Sequence, residues 1–159
     1  MKYFILSLLS LLLFNCNSSK PLKQTVQKNT KVNYKIVAQS ALHGNGAEQI
    51  KPGSYIIKDQ KSWQDLLKKM DRVNNESSKF AINEIDFDKS MIVAVFDPIM
   101  GSGGVKLKVN QVKETEDMLI VSVGHKHPQE QLSIMVMNQP YLILMLPKTD
   151  KKIKVEIEK

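Results

Sequence analysis

The sequence predicts an α+β domain, a mostly antiparallel β-sheet or open barrel of about eight strands with one amphipathic helix. Three observations carry that prediction. Residues Met91 to Phe96 are apolar without interruption, which suits a strand buried on both faces. Val105, Leu107 and Val109 alternate with Lys106, Lys108 and Asn110, the period of a half-buried strand. A single segment changes to helical spacing: Trp63, Leu66, Leu67, Met70 and Val73.

Taken in order, Val32, Tyr34, Ile36 and Ala38 alternate with Asn33 and Lys35 and predict a first strand, followed by a turn-rich loop at Leu42–Gly46. Tyr55, Ile56 and Ile57 give a short second strand. The helix spans about Gln60 to Arg72, with Asp59 as N-cap and a competing capping box in Ser62 and Asp65. Trp63 belongs to its core stripe. A polar loop over 74–79 stops it. Asp88-Lys89-Ser90 is turn chemistry ahead of the buried strand. That strand and the Val105–Val109 strand read as a central hairpin closed by Gly101, Ser102, Gly103 and Gly104. An acidic turn at 114–117 precedes Met118–Val123, with Gly124 the expected bulge. Leu132–Met137 and Tyr141–Leu146 are two further apolar strands. Ile153, Val155 and Ile157 alternate with charged residues in a last strand, as expected of an edge protected against self-pairing.

The N-terminus is read as a targeting segment. Lys2 precedes an apolar run, Phe4–Phe14, too short to span a bilayer. It ends in Leu13-Phe14-Asn15-Cys16, which resembles a bacterial lipobox. Residues 1–15 are then a lipoprotein signal peptide and Cys16 carries the lipid, a palmitate-type anchor. Residues 16–31 are the lipidated N-terminus and a polar tether reaching at most about 50 Å from the membrane. Residues 32–159 form one β-rich domain, large enough to bury about two-thirds of its unfolded surface without staples. Cys16 is the only cysteine, so its acylation would exclude disulfides, thiolate catalysis and cysteine-ligated zinc. The charge of +7 comes from dispersed lysines. It suits anionic lipid or acidic partners, and the shortage of aromatics and of a basic stripe argues against nucleic acid.

Several short motifs occur in one order: Tyr55-Ile56-Ile57 before Ser62-Trp63; Ile85-Asp86-Phe87 before an apolar strand; Gly103-Gly104 leading into Lys106-Leu107-Lys108-Val109; and Gln139-Pro140-Tyr141 opening a strand that ends in Leu146-Pro147-Lys148. Over about Gly53–Glu158 this resembles the C-terminal domain of the protease complex subunit PrcB family, small lipoproteins of bacterial envelopes. Where the family has Thr and an aromatic flanking the glycine pair, this chain has Ser102 and Val105. The resemblance implies a non-enzymatic accessory role beside a surface or periplasmic protease. It also implies anchorage in the envelope, in the outer membrane of a Gram-negative cell.

No nucleophile–base pair stands out, and no cofactor is expected. The glycine loop lacks the first Gly of a nucleophile elbow and leads into a strand rather than a helix, so it is neither an elbow nor a P-loop. It is read as a wide turn whose freed N–H groups can meet an anion or a partner backbone. His125 and His127 share a strand face, the geometry of a two-imidazole metal site with His43 as a third ligand; exposed strand-end histidines are the simpler reading. Asp86, Asp88 and Asp97 are candidate paired carboxylates, or plain turn residues. Met135 and Met137, with the loop Gly101–Gly104, form the candidate partner-binding surface if their faces are exposed. The expected function is a non-catalytic, protein-binding envelope lipoprotein. The alternatives are a protease inhibitor that uses the glycine loop and a periplasmic module for a small ligand or metal.

Overall fold

The computed structural model describes residues 30–82, 84–101, 103–128 and 135–158. The expected signal peptide, Cys16, most of the expected tether, Ser102 and residues 132–134 of the expected Leu132–Met137 strand lie outside them. The described residues form eight strands, β1 (Thr30–Lys31), β2 (Lys35–Leu42), β3 (Gly53–Ile57), β4 (Ser90–Phe96), β5 (Lys106–Glu114), β6 (Met118–Lys126), β7 (Gln139–Pro147) and β8 (Lys152–Ile157), with one helix, α1 (Gln60–Asn74), and a 3-10 turn at Glu76–Lys79. The α+β class holds, with two four-stranded sheets in place of one sheet or barrel: β2-β7-β4-β3 and β1-β5-β6-β8. All neighbours are antiparallel except β6 and β8.

The helix forms where the apolar period changes. Asp59 wins the capping competition, accepting from the backbone N–H of Ser62 at 2.8 Å and from its hydroxyl. Trp63, Leu66 and Met70 are buried on the inner sheet; Val73 is 45% exposed, because at 100° per residue it falls on the margin of the stripe. Asn75 ends the helix with a left-handed φ of 45°.

β4 explains the layering. Its Ile92, Ala94 and Phe96 join the helix-side core with Trp63 and Met70, while Met91, Val93 and Val95 join a second core with Leu107, Val121 and Val123 of the outer sheet. A strand apolar on both faces needs cover on both, and the helix and the second sheet supply it. β7 does the same with Tyr141 and Ile143 on one side and Leu142, Leu144 and Leu146 on the other.

Four expectations change. β4 and β5 are not a hairpin: β4 pairs with β3 and β7, β5 with β1 and β6. The doubly apolar strand takes the middle of the inner sheet, so both its edges are filled, and the glycine segment carries the chain between sheets. The strand expected from Val32 is β2, which starts at Lys35 and holds a bulge between Ile36 and Ala38, which buries Val37 and leaves Ile36 42% exposed. Residues 135–137 are exposed and outside any strand. The bulge expected at Gly124 sits opposite, between Val109 and Gln111 of β5.

Gly124 serves that bulge. A Cβ there would lie 2.6 Å from the Asn110 amide, which bonds the Glu158 carboxylate at 2.6 Å. Gly124→Ala is therefore expected to cost about 1 kcal/mol by displacing a flexible side chain. Adding Asn110→Ala should make the alanine at 124 nearly free. Chemical denaturation of the two single variants and the double variant checks this, and simple additivity would contradict it.

Candidate functional site

The strand order brings one set of chain ends together. The C-terminal ends of β2, β4, β6 and β8 and the N-terminal ends of β3, β5 and β7 meet at one pole. The chain enters at the other: Thr30 and Lys31 pair with Glu114 and Lys113 at the far end of β5. The length of β5 separates the two poles by roughly 25–30 Å.

At the first pole, His125 ties the layers together. Its Nε2 lies 2.6 Å from Asp97 Oδ2, and its Nδ1 lies 2.9 Å from the Glu158 carbonyl. Both ring nitrogens thus face oxygen acceptors. Because a carbonyl only accepts, Nδ1–H donates to Glu158 O, while Nε2 meets the Asp97 carboxyl. The contact is buried, the Asp97 side chain being 5% exposed and that of His125 16%. Asp97 is fixed through its backbone too: its N–H donates to Pro140 O at 2.9 Å and its carbonyl accepts from Gln139 Nε2 at 2.9 Å. Gln139 also donates to Ile50 O, and its own Oε1 has no partner among the described residues.

The chain after Asp97 is apolar and open. Met100 and Asn138 exchange backbone hydrogen bonds at 2.8 and 2.9 Å, which lays the start of the glycine loop beside residues 135–137. Ile99, Met135, Val136 and Met137 are 40%, 94%, 40% and 45% exposed. A methyl group on Gly101 would touch the Met137 sulfur at 3.7 Å. Gly104 has φ +99° and would press a Cβ to within 3.0 Å of Pro128, so only glycine fits there. Beside the loop, Gln39, Ser40, His43, Gly103, Gly104 and Val136 line a cavity of about 300 Å³.

The predicted residues thus divide. Gly101, Gly103, Gly104, Met135 and Met137 come together at the pole. His125 and His127 do share a side, with ring centroids 6.4 Å apart. However, both nitrogens of His125 are occupied, and among the described residues no three His, Cys, Asp or Glu side chains gather as a metal site, so His43 completes none. Asp97 sits at the opposite end of β4 from Asp86 and Asp88, so the three carboxylates do not assemble. Asp86 serves its turn, where the Lys89 ammonium at 3.0 Å holds its carboxyl below the ordinary carboxylate range.

Two buried carboxylates carried no sequence signal. Glu76 accepts from the Tyr141 hydroxyl at 2.9 Å and from Lys79 Nζ at 2.7 Å. Glu48 accepts from the Gly44 N–H at 2.8 Å, and its second oxygen has no partner among the described residues.

No protein-family model matches the chain, and neither a curated protein nor a solved structure matches it.

Proposed function

We propose that this chain is a non-catalytic, lipid-anchored envelope protein that binds another envelope protein through the pole away from its tether. The observation that carries this reading is the apolar patch Ile99–Met135–Val136–Met137. It is held out by the Met100–Asn138 backbone pair at the end of the fold opposite the entering chain. Exposed apolar side chains at one pole favour association, and methionines adapt to a partner's shape. A specific contact would bury about 1,200–2,000 Å² in total, so the partner would reach beyond the patch to the glycine loop and their rim. Anchorage at Cys16 would place the patch away from the membrane and raise the local concentration of both proteins. The resemblance to PrcB-type lipoproteins makes a surface or periplasmic protease the first partner to test. The cavity beside Gly103 and Gly104 favours a second reading, a small ligand held at the same pole.

Two experiments test the proposal. Cys16→Ser should move the protein from the membrane fraction to the soluble fraction of cells, and equal membrane association of both forms would refute the anchor. Crosslinking in intact cells should recover the same partner when residues 16–31 are replaced by a foreign lipidated leash. Loss of that partner on changing the leash alone would place recognition in the leash.

A further inference from the structure

The outer edge of β8 carries a two-part charge pattern. The strand reads Lys152-Ile153-Lys154-Val155-Glu156-Ile157, followed by Glu158, with both cations in the first half and both anions in the second. β8 ends its sheet, and no described strand pairs with its outer side. Charges on an edge strand ordinarily oppose pairing. Segregated signs oppose it in one direction only: parallel copies would set like charges together, whereas antiparallel copies set Lys against Glu.

The backbone fits the same arrangement. The N–H groups of Lys152 and Glu158 donate inward, to Asp117 O and Val123 O of the β6 side. The even-numbered residues of this strand therefore bond to β6, and Ile153, Val155 and Ile157 turn their N–H and C=O groups to the open edge. A two-fold axis at Val155 would pair Val155 with Val155 of a second copy and Ile153 with Ile157. These are the hydrogen-bonded positions of an antiparallel ladder, and they are the residues whose edge groups pair with no described strand. The closer, non-hydrogen-bonded positions fall to Lys154 opposite Glu156 and Lys152 opposite Glu158. Ile157, 38% exposed, would gain cover from Ile153 of the second copy. In the single chain Lys154 Nζ bonds Glu156 of its own strand at 2.8 Å, so pairing exchanges one carboxylate for an equivalent one.

We infer that β8 is a homodimerisation edge, at which two copies of this chain join antiparallel about Val155 into one continuous eight-stranded sheet. This is independent of the apolar patch at the pole and of any other partner. The contact is a single pair of short strands, smaller than a standard stable interface, so it is weak and depends on concentration.

Sedimentation of the full chain in mild detergent tests it, using Lys154→Glu, Glu156→Lys and the double variant. The wild type should self-associate, less so at high salt. Each single reversal sets two like-charge pairs across the axis and should weaken the dimer about tenfold or more. The double reversal restores opposite charges and should restore the dimer. A wild-type chain that stays monomeric, or a double variant as weak as the singles, would overturn the inference. Oxidative crosslinking supplies a readout that survives any change in fold stability. Lys154→Cys mixed with Glu156→Cys should give a disulfide dimer, because the two positions lie directly opposite at a separation a disulfide can span. Lys152→Cys mixed with Glu156→Cys, two positions out of register, should stay at the background set by Cys16 in the wild type. Equal crosslinking of both mixtures would refute the register.

Discussion

Tyr141→Phe is expected to lose about 2 kcal/mol of stability at neutral pH, a large effect for one oxygen atom. The phenol is 1% exposed and donates to Glu76 Oε1 at 2.9 Å, and Glu76 is itself 1% exposed. Removing the hydroxyl leaves one oxygen of a buried carboxylate without its donor, and Lys79 serves only the other. The cost is therefore that of an orphaned charged acceptor rather than of an ordinary hydrogen bond. The same site gives a signature in alkali. Burial, with the Glu76 carboxylate beside it, pushes the Tyr141 phenol well above its ordinary pKa of 10.0. A group raised in the folded state contributes stability that is complete below its unfolded value, about 10, and is lost as pH rises through the folded one. Above pH about 10 the unfolded phenol ionises while the folded one keeps its proton, and stability falls by up to about 1.4 kcal/mol per pH unit. Tyr141→Phe lacks that term. Denaturant titrations at neutral and alkaline pH should show the gap between wild type and variant narrowing in alkali. A gap that stays constant or widens would contradict the network.

Asp97→Ala is expected to cost more, about 3 kcal/mol, because it breaks a buried pair and leaves its partner behind. His125 would keep only the Glu158 carbonyl, with Nε2 facing the space the carboxylate held. Asp97→Asn should lose less, since its amide can still meet the ring. The consequence extends to the pole, because His125, Asp97 and Gln139 join β6, β4, β7 and the end of β8 at that point. Ile99 and Met100 follow Asp97 with only Pro98 between, so capture of a partner should fall by more than the unfolded fraction alone explains. Urea denaturation read beside crosslinking yield separates the two effects. Wild-type stability in Asp97→Ala would show that the pair does not hold the pole.

Local pattern made some of this fold legible and left the rest hidden for identifiable reasons. The helix, its Asp59 cap and the burial of Trp63 follow from spacing within a few residues. Met91–Phe96 announced a strand buried on both sides, because nothing polar interrupts it. The same run, joined by glycines to an alternating strand, also looked like a hairpin. What decides against that is pairing with Tyr55 and Ile143, which no local period records. The bulge at Val37 inverts a clean alternation, and one extra residue is invisible to a period-two pattern. At the pole, the glycines and methionines stand out by residue type alone. The His125–Asp97 pair has no local signature: sequence proximity groups His125 with His127 and Asp97 with Asp86 and Asp88, whereas the partners are 28 residues apart, one on β6 and the other just past the end of β4. Glu76 lies in a polar segment that reads as a loop and Glu48 just beyond another, and only the folded chain shows that these carboxylates are inside.

The most direct test of the binding proposal is substitution of the patch itself in the full, anchored chain. Met135→Asp with Met137→Asp places two charges on side chains 94% and 45% exposed, away from both cores, so the melting temperature should stay within a few degrees of wild type. In intact cells, a photo-crosslinker at Ile99 should capture a discrete envelope protein in the wild type. In the double variant that capture should fall at least tenfold, with membrane association unchanged. Undiminished capture in a folded, membrane-bound double variant would contradict the assignment of binding to this pole.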